Sequence, residues 1–175
     1  MKKILAINPG ATSTKYGVFE GEKALFKKTL EHQGSDLEKY SRVFDQYEYR
    51  LRLILEGLEQ EGVALTSLQG VVGRGGLLKP LQGGTYLVNQ LMVEDLEKAE
   101  RGEHASNLGG VLAYNLGKKL GIPAFIVDPV SVDEMEPEAR LSGLPELPRI
   151  SMAHTLNSRA VARNAARQMG KKYEE

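Results

Sequence analysis

The stretch NPGATSTK, residues 8–15, follows the apolar run ILAI directly and carries one glycine, three hydroxyl side chains and a lysine. Backbone amides and hydroxyl groups in a tight turn bind phosphate, and a nearby lysine adds positive charge. The candidate phosphate-binding residues are Gly10, Thr12, Ser13, Thr14 and Lys15. Asn8, at the end of the apolar run, is placed to orient a water molecule on a metal ion.

This stretch is not a Walker A loop. That motif reads G-x-x-x-x-G-K-[ST] and leads into a helix, whose first amides bind phosphate. Here the second glycine is missing, and the YGVF that follows predicts a strand. Taken alone, the stretch fits either a polar β-hairpin turn without a ligand or a hairpin turn that binds phosphates.

Two further segments place a charged residue at the end of an apolar strand. In VVGRGG, Arg74 lies between glycines, which predicts clear space beside a guanidinium that could bind a carboxylate or phosphate in bidentate fashion. The alternative is a solvated loop arginine. In FIVDPV, Asp128 ends a buried strand, where ligands of α/β sheets gather.

The three histidines differ in their surroundings. His104 and His154 lie in junctions rich in small residues, each just before a predicted helix. Each by itself fits a core or capping histidine as well as a catalytic one. His32, in LEHQGSD, predicts an ordinary surface turn.

Composition excludes several classes of protein. Lys and Arg together number 23, as do Asp and Glu, so neither a basic nucleic-acid surface nor an acidic tail is indicated. The absence of cysteine excludes a disulfide scaffold and thiolate metal sites, and it fits a cytoplasmic location. The N-terminal apolar run is too short for a signal peptide, and no run approaches the ~18 apolar residues of a membrane span.

These residues must be positioned by strands and helices, and the order of the predicted elements indicates an α/β layer architecture with a mixed sheet. Three strands form a meander, and strands then alternate with helices. Ser35 with Glu38 predicts a capping box for the first helix. The chain stops after a helix and a glycine, where another strand is expected, which indicates an end imposed within the fold. The predicted strands are 3–8, 15–20, 23–31, a short one from residue 68 and 123–128, and the predicted helices are 35–62, 91–100, 107–120 and 157–169.

Several segments together resemble one family. INPGATSTKYGVF, VVGRGGLLKPLQGGTYLVN, GEHASNLGG, IPAFIVDPVSVDEM and HTLNSRAVAR are similar to the butyrate kinase branch of the acetate kinase (acetokinase) family. The resemblance implies a ribonuclease-H-like domain of the actin-like ATPase superfamily, whose members place two such domains around a cleft. It implies that this chain is the N-terminal half, with residues 1–150 as the domain and 151–175 as the start of the connection to the second.

The implied activity is phosphate transfer between ATP and a short-chain fatty acid, butyrate or a branched-chain acid, which gives an acyl phosphate. ATP or ADP and Mg²⁺ are the implied cofactors. No nucleic-acid or membrane partner is implied, and intact family members are homo-oligomeric. The alternatives are an acetate or propionate kinase, and a truncated, catalytically inactive domain of such a kinase.

The resemblance also implies roles for individual residues. Asn8, Ser13 and Lys15 match the first phosphate and Mg²⁺ loop, with Asn8 acting on the metal through water. Ala11 departs from the family, which usually has serine there, so one hydroxyl is missing from the loop. The implied catalytic residues are Arg74 for the acyl carboxylate and the phosphoryl group, Asp128 near the reacting centre, His154 for the transferred phosphoryl group and His104 in a secondary role.

Overall fold

A six-stranded mixed sheet forms the centre of the computed structural model, which describes residues 2–174. The strands are β1 (Lys3–Pro9), β2 (Ser13–Glu20), β3 (Lys23–Glu31), β4 (Leu68–Arg74), β5 (Thr85–Leu87) and β6 (Ala124–Val127). Their order across the sheet is β3-β2-β1-β4-β6-β5. The first three strands are antiparallel neighbours, β1, β4 and β6 are parallel, and β5 is antiparallel to β6. The predicted meander and the α/β class with a mixed sheet are confirmed.

Five helices accompany the sheet, and they contribute unequally to the core. They are α1 (Gly34–Leu37), α2 (Tyr47–Gln60), α3 (Gln90–Lys98), α4 (Asn107–Leu120) and α5 (Thr155–Gln168), with 3₁₀ turns at Phe44–Gln46, Leu65–Ser67 and Pro137–Arg140. The apolar faces of α2, α3 and α4 join the core against alternate residues of β1, β2, β4 and β6. None of the α5 residues is buried. Among the described residues, no helix has the length and apolar character to cross a membrane.

The prediction of one helix over residues 35–62 is wrong, because the chain breaks between α1 and α2. Residues 38–43 are irregular. The Asp45 carboxylate accepts a hydrogen bond from the backbone amide of Arg42 at 3.2 Å. The Arg42 side chain donates to Glu103 at 2.9 Å. These side-chain contacts, one local and one to a distant loop, replace the helical hydrogen bonds that the apolar spacing predicted.

The predicted capping box is also wrong. Ser35 lies inside α1, and the residue that caps this helix is Gln33, which makes no side-chain hydrogen bond to it. Strand β5 was not predicted, because a three-residue strand with exposed ends shows no alternation that a sequence pattern could detect. The helices predicted at 91–100, 107–120 and 157–169 match α3, α4 and α5 within two residues.

Helix α4 lies directly against β4 because both elements have glycine at the contact. A β-carbon added to Gly73 would lie 1.9 Å from the carbonyl oxygen of Gly109, and one added to Gly109 would lie 2.0 Å from that of Arg74. A β-carbon on Gly75 would lie 2.5 Å from Pro129. The sequence interpretation that the glycines around Arg74 clear space for a ligand is therefore wrong, since protein atoms occupy that space.

We expect Gly109→Ala to destabilise the protein, although alanine ordinarily favours a helix by about 1 kcal/mol over glycine. The new methyl group meets the backbone of β4, which cannot move without disturbing the sheet. A loss of about 1–3 kcal/mol in the free energy of unfolding, measured by urea denaturation, is expected.

The matched control is Gly110→Ala in the same helix. Its β-carbon would lie 2.7 Å from Cδ1 of Leu96, a side chain that can change rotamer, and at an ordinary 3.6 Å from Cγ2 of Ile126. An equal or larger loss of stability in the Gly110 variant would contradict this account of the helix–strand contact.

Candidate active site

Five of the ten predicted site residues line one cavity of about 770 Å³: Asn8, Lys15, Arg74, Asp128 and His154. The cavity lies on the sheet face opposite the core. Alternation places Asn8 and Arg74 there, because their neighbours Ile7 and Gly73 point into the protein core. The residues before and at the start of α5 complete the cavity.

The Arg74 guanidinium lies at the centre of this group. Its Nη1 donates to Asn8 Oδ1 at 3.4 Å, and its Nη2 donates to His154 Nδ1 at 3.0 Å. A guanidinium has no acceptor, so Nδ1 of His154 must accept in this contact. Within residues 2–174, neither Arg74 nor Lys15 forms an ion pair. Two cations that have no carboxylate partner among the described residues therefore face the same cavity.

Asp128, by contrast, already has a cationic partner. Its Oδ1 accepts from the backbone amide of Gly84 at 2.7 Å and from Arg159 Nη1 at 3.0 Å. Arg159 also pairs with Glu134. Asp128 is only 7% exposed and has a φ of 38°, a left-handed conformation that aspartate tolerates better than most residues. Sequence reasoning missed Arg159, since an arginine in a polar helix carries no signal of its own.

The turn at residues 10–13 lies beside the cavity, and a buried arginine from α2 holds it. The amide of Gly10 donates to the carbonyl of Ser13 at 2.7 Å, which closes the turn. Gly10, Thr12 and Ser13 form this turn but do not line the cavity. Below it, the fully buried Arg50 donates to turn carbonyls. Sequence reasoning missed Arg50, although it lies four residues before Ile54 on the buried side of α2.

Thr14 does not offer a donor to a ligand, contrary to the sequence expectation. Its side chain is fully buried on the core side of the sheet. Its Oγ1 accepts from Arg50 Nη1 at 2.9 Å and is hydrogen-bonded to His32 Nε2 at 2.8 Å. Strand alternation explains the direction, because Lys15 next to it faces the cavity.

His32 is buried, so its prediction as a surface turn residue is wrong. Only 6% of it is exposed, and its Nδ1 lies 3.3 Å from the hydroxyl of Tyr49. Burial, and next the positive charge of Arg50, lower the pKa of His32 from 6.5 to about 4, while Asp36 opposes the shift. The imidazole below the turn is therefore neutral at pH 7.

His104 is not brought to the cavity. It is exposed just before α4, and its Nδ1 is 2.7 Å from the hydroxyl of Ser106 and accepts from the amide of Ser106 at 3.1 Å. These contacts are local to the loop before α4, and the secondary role of His104 stays a prediction.

The donor atoms at the cavity fit a magnesium ion carried by phosphates better than a metal held by the protein alone. No cluster of three or more His, Cys, Asp or Glu suited to a metal occurs in residues 2–174. Mg²⁺ typically keeps several waters and binds through one or two protein groups and substrate phosphates. Asn8, with an exposed amide oxygen beside Lys15, suits contact through such a water.

We expect acid to destabilise the protein through His32. Because the folded-state pKa is about 4 and the ordinary value is 6.5, the unfolded chain binds the extra proton first as pH falls. Stability is therefore lost between about pH 6.5 and pH 4, by up to about 3 kcal/mol from this residue. Urea denaturation at pH 7 and pH 5 should show a smaller pH effect in His32→Gln than in the wild type.

The matched control is His104→Gln, which replaces an exposed histidine and should keep the wild-type pH dependence. Parallel stability curves for the wild type and His32→Gln would contradict the assignment. The ring resonances of His32, followed by NMR, give its pKa directly.

We expect Asp128 and Arg159 to be energetically coupled, because each loses its contact when the other is replaced. Asp128→Asn retains a residue that tolerates the left-handed backbone, and Arg159→Met removes the charge. A double-mutant cycle on hydrogen exchange in α5 should give a coupling of about 1 kcal/mol. Asp128→Asn combined with Arg163→Met, on the same helix, should be additive. If the effects of Asp128→Asn and Arg159→Met on hydrogen exchange were additive, this would contradict the contact between the two side chains.

The comparison with curated proteins agrees with the resemblance, whereas no protein-family model matches the chain. Butyrate kinase 1 of Clostridium acetobutylicum is 51% identical over 175 residues, which is 100% of this chain and 49% of that protein. The chain therefore spans about half the length of that curated relative.

Solved structures with the same fold have much lower identity. Acetate kinase of Porphyromonas gingivalis matches with a TM-score of 0.67 and 18% identity, over 99% of this chain and 50% of that one. A propionate kinase of Francisella tularensis matches with a TM-score of 0.60 and 13% identity, over 98% and 50%. The predicted α/β fold class with a mixed sheet and flanking helices is confirmed, and the chain shares its fold with about half of each of these two kinases. Through its identity to the Clostridium protein, the chain is a homologue of butyrate kinase, and it corresponds to about half of that enzyme's length.

Proposed function

We propose that this chain forms the part of a kinase that binds the carboxylate and the transferred phosphate, in a reaction between ATP and a short-chain fatty acid. The products are ADP and an acyl phosphate. The observation that carries the proposal is that Arg74 and Lys15 face one cavity and that neither has an ion-pair partner in the described part of the chain. The printed name of the relative, butyrate kinase 1, supports butyrate or a branched-chain acid as the acceptor.

The chemical obstacle in this reaction is repulsion between anions. A fatty acid is already ionised at pH 7, so its carboxylate needs no general base to become a nucleophile. Two unit charges ~4 Å apart repel by roughly 4 kcal/mol at an effective dielectric near 20, and ATP carries more than one charge. Arg74 and Lys15 offset this repulsion, and Mg²⁺, when bound, neutralises phosphate charge in the same way.

The other residues of the cavity position the reactants. Arg74 binds the carboxylate through its planar fork, and its contact with His154 holds both side chains where the phosphoryl group passes. Asp128 orients a cation and does not act as a base on the nucleophile. Apolar side chains of Val72, Val127 and Val130 line the same cavity and suit an aliphatic acyl group.

The proposed domain division places residues 1–150 in one domain and 151–175 at the start of a connection. Two observations support it. Helix α5 buries none of its residues, and the segment before it exposes large apolar side chains. These are Leu141, Leu144, Leu147, Ile150 and Met152.

The direct test is acyl hydroxamate formation from MgATP with acetate, propionate, butyrate or isobutyrate. It is measured on this chain and on any longer protein that contains it. Faster product formation with butyrate or isobutyrate supports the proposal. Faster formation with acetate or propionate supports the other carboxylate kinases instead, and no product from either protein contradicts both assignments.

We expect both Arg74→Lys and Arg74→Leu to be poor enzymes. Lysine keeps the charge but loses the bidentate fork, so kcat/KM for butyrate should fall about 10²-fold, and leucine should cost about 10³-fold or more. The measurement is hydroxamate formation in the protein that shows activity. Arg52→Lys, an exposed arginine on α2, serves as the control and should retain activity. Wild-type activity in Arg74→Lys would exclude the bidentate role.

A further inference from the structure

The guanidinium of Arg50 is fully buried and takes its acceptors mainly from one turn of the backbone. Nη1 donates to the carbonyl of Gly10 at 2.9 Å and to that of Ser13 at 3.2 Å. Nη2 donates to the carbonyl of Ala11 at 3.2 Å. Three carbonyl groups of the 10–13 turn therefore point toward one side chain of α2.

No negative charge balances this guanidinium within residues 2–174. Its remaining protein partners are neutral: Thr14 Oγ1 at 2.9 Å, and Gln46 Oε1, which accepts from Nε at 3.1 Å and from Nη2 at 2.8 Å. Arginine remains charged in proteins. A buried cation normally has an anionic partner, so an unbalanced one directly below a turn requires an explanation.

The direction of the peptide units in the turn supplies an explanation for the unbalanced charge of Arg50. The described peptide bonds are trans, so the N–H of each unit points opposite to its C=O. Because the carbonyls of Gly10 and Ala11 face Arg50, the amides of Ala11 and Thr12 face away from it, at the exposed tip of the turn. Neither amide donates to a backbone acceptor in the described part of the chain. Two neighbouring amides that point outward are a typical anion-binding arrangement.

We propose that Arg50 is a positioning residue, which holds the 10–13 turn with its amides directed outward and places an uncompensated positive charge behind them for a polyphosphate. The proposal rests on the proposed function and adds to it that the 10–13 turn, which lies beside the cavity, receives the phosphates of ATP. It adds a residue that touches no substrate and acts through the backbone of the turn. The charge and the amide dipoles act in the same direction, because both favour an anion at the tip.

Two substitutions separate the geometry from the charge. Arg50→Lys keeps the charge but lacks the planar set of donors that reaches three carbonyls. Gln46→Glu keeps an acceptor oxygen at the same place and adds a negative charge beside Arg50. Gln46→Glu also keeps the proposal testable if Arg50→Lys fails to fold, since it preserves the hydrogen bonds below the turn.

The experiment titrates inorganic pyrophosphate into the ¹⁵N-labelled chain and follows the amide resonances of Ala11 and Thr12. In the wild type we expect saturable shifts of both amides. Arg50→Lys should weaken binding ~10-fold through loss of the turn geometry, and Gln46→Glu ~5-fold through loss of the charge. Arg52→Lys, two residues along α2 and exposed, should bind as the wild type does.

Wild-type affinity in either Arg50→Lys or Gln46→Glu would overturn the proposal, as would a wild type whose Ala11 and Thr12 amides do not respond. A purely structural role for Arg50 predicts unchanged binding in Gln46→Glu, so that variant decides between the two. Failure of the fatty acid kinase proposal is a separate result. It would be an absence of acyl hydroxamate in a protein whose turn still binds pyrophosphate.

Discussion

The hydrogen bonds between Arg50 and the 10–13 turn are the constraint on which the cavity side of the sheet depends. A guanidinium without access to water must satisfy its donors within the protein, and here the hairpin backbone, Thr14 and Gln46 supply the acceptors. The contact therefore fixes helix α2 relative to strands β1 and β2. It also fixes the end of β1, where Asn8 lies next to Arg74. A buried polar contact on one face of the sheet thus determines where the polar groups of the other face are placed.

Close backbone packing is the second requirement. Arg74 follows Gly73, which lies against Gly109 of α4 without any intervening side chain. This approach sets the end of β4 against the first turn of the helix, so the strand cannot shift outward without losing the contact. The glycines of this region therefore act as packing residues. Space for a ligand comes instead from the sheet face that α2, α3 and α4 leave uncovered.

The sequence predicted what depends on local periodicity. The apolar runs gave the three strands of the meander, and the helical patterns gave α3, α4 and α5 nearly at their observed ends. What it could not predict depends on contacts between distant segments. His32 is buried only because Thr14 and Tyr49 meet it in the folded chain. In the break of the predicted first helix, Arg42 is hydrogen-bonded to Glu103, some sixty residues away.

Helix α5 contributes to the cavity without contributing to the core, and this division has a physical consequence. The strands are held by apolar packing, whereas α5 is attached through Arg159, which bridges the buried Asp128 and the exposed Glu134. Dissolved salt screens charges that water can reach and strengthens, if anything, the burial of apolar surface. Raising the ionic strength should therefore weaken the contact of Arg159 with the exposed Glu134, while its contact with the buried Asp128 and the apolar packing of the strands stay in place.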